Sequence, residues 1–201
     1  AEQAPLCACS LEKSVSGVLV SAHPVDSAPS LDQPIQATSS ASGVFQLSFE
    51  REGRYRICPQ SPASPYVNEC LWGFGNVIVQ VTRGLKLDSL LLPIRRGAPI
   101  EVRLDDPGNK LAALKPSVDP GVQLAIQAPG GLFHPIARAA QDSNGRTHRI
   151  VVPWDTDVKV FIRPGKLTVR DNNGRALTQS ERIPFRRNAD QGDASFAIRL
   201  K

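Results

Sequence analysis

The stretch SSASGVFQLSFEREGRYRICPQ, residues 39–60, decides how the rest of the chain reads. Phe45, Leu47 and Phe49 fall on one face, with Gln46 and Ser48 on the other. Tyr55 and Ile57 then alternate with Arg54 and Arg56. A period of two is the signature of a half-buried β-strand. Ala41-Ser42-Gly43 and Arg51-Glu52-Gly53 bracket the first run. Glycine supplies the positive φ that such corners need. Two strands joined by a tight turn, each with one apolar face, predict packed sheets.

The same pattern recurs outward in both directions. SVSGVLVSA precedes it, and NVIVQVTRG, LDSLLLPIRRG and APIEVRLDD follow at the short spacing of an all-β sandwich or barrel. VQLAIQA, FHPIARAAQD, RTHRIVVP, VKVFIRP, GKLTVRDNNG and SFAIRL continue it to the end. LAALKPSVD has helical character for a turn or two before Pro116 stops it, and 17 prolines and 15 glycines leave little room for long helices. The polar segment DDPGNKLAALKPSVDPGV, residues 105–122, separates two groups of strands. DSNGRTHRIVVPW also echoes SSASGVFQLSFE, a polar turn with Gly followed by an alternating strand. The expected fold is therefore all-β, with two tandem β-sandwich domains of transthyretin-like or immunoglobulin-like type. The expected layout is an N-terminal arm over 1–13, a sandwich over 14–106, a linker over 107–120 and a second sandwich over 121–201.

Composition narrows the function. The 201 residues suit one large β-domain or two of about 100 each. LDSLLLPI, the longest apolar run, is broken by Pro93 and far shorter than the roughly 18 residues of a membrane-spanning helix. Methionine is absent, the sequence opens AEQAP, and the four cysteines are even in number. These features lead us to expect an exported, extracellular protein whose signal peptide has been removed. The net charge of +5 resides in the second half: residues 1–104 hold nine Lys/Arg and nine Asp/Glu, residues 105–201 fifteen and ten. The cations are scattered and lack an aromatic ladder, so nucleic acid is not an expected partner.

Gly17, Thr38, Gly43, Phe45, Leu47, Gly53, Tyr55 and Ile57 occur in the order Gly, then Thr, then G-x-F-x-L, then G-x-Y-x-I. In this the chain resembles the carboxypeptidase regulatory-like domain, a transthyretin-like (prealbumin-like) β-sandwich of secreted bacterial proteins. The resemblance covers residues 14–104 by motif and 121–201 by architecture. It implies a packing scaffold that usually accompanies another module, and it supplies no catalytic residue.

Cys58 and Cys70 flank a Pro- and Ser-rich loop, with eleven residues between them. Zinc ligands favour two to four intervening residues and redox dithiols two, so a disulfide clamp is expected. Cys7 and Cys9 are expected to bond with each other or between chains, with soft-metal binding as the alternative. His23, His134 and His148 stand apart in the sequence, and no catalytic or nucleotide-binding motif is present. No cofactor and no metal site are expected, although Asp105-Asp106 and Asp155-Thr156-Asp157 carry the oxygen ligands calcium favours. Trp72, Phe74 and Trp154 are candidates for a polysaccharide platform. The expected function is that of a non-enzymatic structural or interaction protein. It would dock through its N-terminal arm and sheet edges to copies of itself or to another surface protein. A carbohydrate-binding module and an accessory partner of a secreted enzyme are the alternatives.

Overall fold

The computed structural model describes residues 6–10, 13–26, 33–60, 65–73, 77–88, 90–114, 121–171, 173–177, 180–191 and 194–200, with backbone alone at 6–10 and 13. The chain is all-β and divides into two compact units, 1–96 and 97–201.

The first unit contains β1 (Leu6–Ser10), β2 (Lys13–Ser14), β3 (Leu19–Pro24), β4 (Ile35–Thr38), β5 (Val44–Phe45), β6 (Gly53–Gln60), β7 (Val77–Val81) and β8 (Leu91–Pro93). One sheet is antiparallel in the order β4-β3-β6-β7. In the other, β1 pairs antiparallel with β2 and β5 and parallel with β8. The core draws on both: Val20, Ala22, Tyr55, Ile57 and Val81 from the first sheet, Phe45 and Leu92 from the second. Each such aliphatic side chain contributes roughly 1.5–3 kcal/mol when fully buried. Ser39 ties the start of β3 to the end of β4. Its buried hydroxyl accepts from the Val18 amide at 2.9 Å and donates to the Val15 carbonyl at 2.8 Å. Gly43, at φ +77°, closes the turn back onto Ser40.

The second unit contains β9 (Gly97–Asp105), α1 (Lys110–Ala113), β10 (Gln123–Gln127), β11 (Phe133–Pro135), β12 (Ala137–Asp142) and β13 (Gly145–Pro153). It continues with β14 (Val158–Arg163), β15 (Val169–Asp171), β16 (Ala176–Leu177), β17 (Glu181–Phe185) and β18 (Ala194–Leu200). One sheet has the order β11-β10-β14-β17 and the other β12-β13-β9-β18-β15-β16. Ala98, Ile100, Val102 and Leu104 of β9 are buried, as are Leu124, Ile126, Val158, Val160 and Ile162 of the smaller sheet.

APIEVRLDD reads from sequence as the last strand of the first module. In the structure β9 pairs antiparallel with β13 along its whole length and parallel with β18. The polar composition of 105–122 marks loops; it does not say which sheet the preceding strand joins. The helical character of LAALK amounts to the single turn α1, whose Lys110 and Leu111 amides, each at 2.8 Å, donate to the buried Asp106 carboxylate.

Arg103 on β9 reaches across β13 to β12. Its Nη1 and Nη2 donate to the two carboxylate oxygens of Asp142 at 2.7 and 2.9 Å. This bidentate bond, with the Asn144 amide second, lowers the Asp142 pKa to about 2. A carboxylate with a depressed folded-state pKa contributes stability above its unfolded pKa, and that contribution fades as pH falls through the folded value. We expect the Asp142 carboxyl, followed by NMR, to titrate near pH 2 and to return to an ordinary midpoint in Arg103→Gln. A wild-type midpoint near 4 would mean that the pair does not hold in solution.

Candidate functional site

β5 stops after two residues, but the alternation that defines a strand does not. Phe45 is buried, Gln46, Ser48 and Glu50 are exposed, and Leu47 and Phe49 are half-buried against the core. Phe49 stacks on Tyr55 at 4.7 Å between ring centroids. Among the described residues, 46–50 belong to no ladder. Residues 85–88 likewise continue from the turn after β7 without strand pairing. Residues 44–52 and 81–88 form the two walls of a groove of about 730 Å³.

β1 lies between β5 and β8: Leu6 is opposite Phe45 and Cys7 opposite Val44 on one side, with Cys7, Ala8 and Cys9 opposite Leu91, Leu92 and Pro93 on the other. The groove lies along the chain that leaves β5 on one side and the chain that leaves the turn after β7 on the other. Leu47 and Phe49 line the core side. Leu85, Leu87 and Leu91 are 44%, 41% and 65% exposed. Backbone donors and acceptors flanked by apolar side chains are what an added strand binds.

Cys58, at the end of β6, is joined to Cys70 by a disulfide with Cα atoms 5.5 Å apart, within the usual range. The adjoining turn pins the chain after β8: Val67 N–H donates to the Arg95 carbonyl at 2.8 Å, and Arg95 N–H donates to Glu69 Oε1 at 3.0 Å. Glu69 is almost fully buried, and desolvation raises its pKa, opposed by Arg95. The sequence gives no sign of this buried carboxylate, which sits beside Cys70 in a loop that reads as solvated.

The other candidate residues do not assemble with the groove. Trp72, in the first unit, and Trp154, in the second, are half-buried, and neither lines this groove or the smaller one at Gln127–Gly131. Phe74 lies outside the described residues, as do the side chains of Cys7 and Cys9. Asp105 binds Arg103, Asp106 caps α1, and Asp155 and Asp157 face Arg186. Among the described residues no three His, Cys, Asp or Glu converge as a metal site requires.

One nucleophile–base contact escaped the sequence reading, because its partners are only two residues apart on one strand. Ser21 Oγ lies 2.9 Å from His23 Nε2. The Ser21 hydroxyl is buried and also reaches the Cys58 carbonyl at 3.3 Å; when it donates there, the imidazole in its Nε2–H tautomer donates to it. Burial lowers the pKa of both His134 and His148.

No family model matches the chain, and no curated protein matches it. Among solved structures it is similar to a streptococcal ancillary pilin, with TM-score 0.41 and 10% identity over 98% of this chain. The chain spans 62% of the length of that protein. It is also similar to the shaft pilin spaA of Lactobacillus rhamnosus GG, with TM-score 0.31 and 10% identity over 94% of this chain and 86% of that one. At these scores and identities the function of neither protein transfers to this chain.

Proposed function

We propose that the chain is a non-enzymatic extracellular structural protein that docks to copies of itself or to another surface protein by strand addition. The observation carrying this reading is the groove walled by 44–52 and 81–88, where among the described residues neither 46–50 nor 85–88 pairs with a strand. Main-chain hydrogen bonds along such a groove provide affinity, and apolar pockets on alternate positions provide selectivity. The Cys58–Cys70 disulfide suits an oxidising, extracellular setting. We read the first unit as a carboxypeptidase regulatory-like, transthyretin-like module, on the glycine corners and alternating residues of 17–57.

Sedimentation velocity of the full chain beside a variant lacking residues 1–10 tests the reading. The full chain is expected to associate with rising concentration, and the truncated one to lose that association, since the deletion removes β1. Equal sedimentation of the two proteins at every concentration would remove the N-terminal segment from the docking mechanism.

A further inference from the structure

We infer that the outward face of the smaller sheet of the second unit, β11-β10-β14-β17, binds an extended acidic segment of another polypeptide in which carboxylates alternate with an apolar residue. The inference goes beyond the docking reading above and involves none of the residues of the groove. The surface arises from strict alternation. Val158, Val160 and Ile162 of β14 are buried, which leaves Lys159, Phe161 and Arg163 facing out. Opposite residues of a ladder share a face, so Arg182 joins them from β17 beside Phe161. On the other side Ala125 of β10 is opposite Phe161, and past this small residue Phe133 of β11 meets the Phe161 ring edge-to-face, with centroids 5.1 Å apart. Phe133 remains 46% exposed.

Charge on this face has one sign. Across the four strands the outward positions are Gln, Ala, Phe, Pro, Lys and Arg, with no carboxylate among them. Among the described residues no ion pair involves Lys159, Arg163 or Arg182. The carboxylates that adjoin these strands are engaged elsewhere. Asp155 and Asp157, ahead of β14, face Arg186 at 3.9 and 3.3 Å, and Glu181, at the start of β17, faces Arg175 at 3.6 Å. The cations look scattered in the sequence because they come from separate strands; the ladder gathers them around the phenylalanine pair. Such a field of one sign favours an anionic partner.

Strand geometry selects the kind of anion. Alternate residues of a strand are about 6.8 Å apart, so Lys159, Phe161 and Arg163 form a row of cation, ring and cation at that step. An extended polypeptide presents its own alternate side chains at the same step. Acid, apolar and acid at positions i, i+2 and i+4 therefore meet all three members of the row together. β14 is paired on both sides, so its main chain is already used and recognition falls to the side chains. The two rings contact each other and form no ladder of separate platforms, so the face lacks the successive stacking that single-stranded nucleic acid uses.

The test is an NMR titration of the isotope-labelled full chain with the peptide Ser-Glu-Thr-Leu-Thr-Glu-Ser. One control peptide holds the same residues in the order Ser-Leu-Thr-Glu-Glu-Thr-Ser, and another carries Lys in place of both Glu. Saturable shifts are expected at the amides of β14 and its neighbours β10 and β17. The reordered peptide should bind about fivefold more weakly or worse, and the Lys peptide not at all. Lys159→Glu/Arg163→Glu, at exposed positions that leave the core intact, should weaken binding about tenfold or more. The same pair of reversals on β6, Arg54→Glu/Arg56→Glu, should leave it unchanged. Raising NaCl to about 0.5 M, where exposed charges are screened within roughly 4–5 Å, should also weaken it. No saturable shift, equal binding of the two Glu peptides, or unchanged binding by Lys159→Glu/Arg163→Glu would each overturn the inference. Oligothymidylate and phosphatidylserine vesicles are titrated in parallel. Tighter binding of either, lost in the same variant, would assign the face to phosphate-bearing ligands and reject the acidic polypeptide.

Discussion

Gly145→Ala is expected to destabilise the second unit by about 3 kcal/mol or more, the sum of backbone strain and forced overpacking. Gly145 is the first residue of β13, at φ +156°, and it pairs with Asp105 of β9. A Cβ placed there would meet the Leu104 carbonyl oxygen at 2.1 Å and the Asp105 Cα at 3.1 Å. Both neighbours are backbone of the central strand, so no rotamer change relieves the overlap. Relief requires separating β13 from β9 at the end where the β12–β13 hairpin folds back. That hairpin also carries Asp142 to Arg103, and the Asp106 amide donates to the Asn144 carbonyl at 2.7 Å. Gly130→Ala is the matched control. Gly130 has φ +85° with nothing within 4 Å of an added Cβ, so only local conformational strain of about 1 kcal/mol is expected. For a domain of this size a loss of about 3 kcal/mol lowers the melting temperature by roughly 12 °C or more. Calorimetry should show this in one transition, with the control shifted far less. Equal shifts for the two variants would mean that β9 yields at Gly145 without cost.

How much of this was legible in the residues depends on the range of the interaction. The inward positions of residues 45–57 follow from covalent alternation alone, and Phe45, Tyr55 and Ile57 are core residues as their spacing predicts. The Cys58–Cys70 link followed from a spacing that suits a bridge better than a metal or a redox centre. Partner choice was not legible. β9 takes β18, about ninety residues away, as its parallel neighbour, and nothing local in APIEVRLDD records that. Residues 6–10, read as part of a detached arm, lie between β5 and β8 for the same reason. The groove was least accessible of all. Its walls are two distant segments, 46–50 and 85–88, that among the described residues pair with no strand. Sequence shows the alternation of 45–49 and is silent on what lies across from it.

Removing the disulfide should expose how the groove depends on the clamp. Cys58→Ala/Cys70→Ala opens a bridge with a sequence separation of 12, for which loop entropy gives about 3 kcal/mol. In a unit of this size that is roughly 12–24 °C in melting temperature. Alanine is chosen because Cys58 is buried and serine would add a buried hydroxyl near Ser21. The bridge fastens the end of β6, in one sheet, to the turn whose Val67 and Glu69 hold Arg95 just beyond β8, in the other. With the bridge gone, Glu69 loses the restraint that keeps a carboxylate in an apolar site, where desolvation already disfavours its charge. The turn then gains by opening to water, and most at a pH where Glu69 is ionised. β8, and the 85–88 wall that precedes it, should loosen before the β4-β3-β6-β7 sheet does. Amide exchange should therefore accelerate first at residues 90–96, with β3 and β6 still protected. Uniform acceleration across the unit, or a melting temperature within about 3 °C of the parent, would show that hydrogen bonds from the turn hold the wall without the bridge.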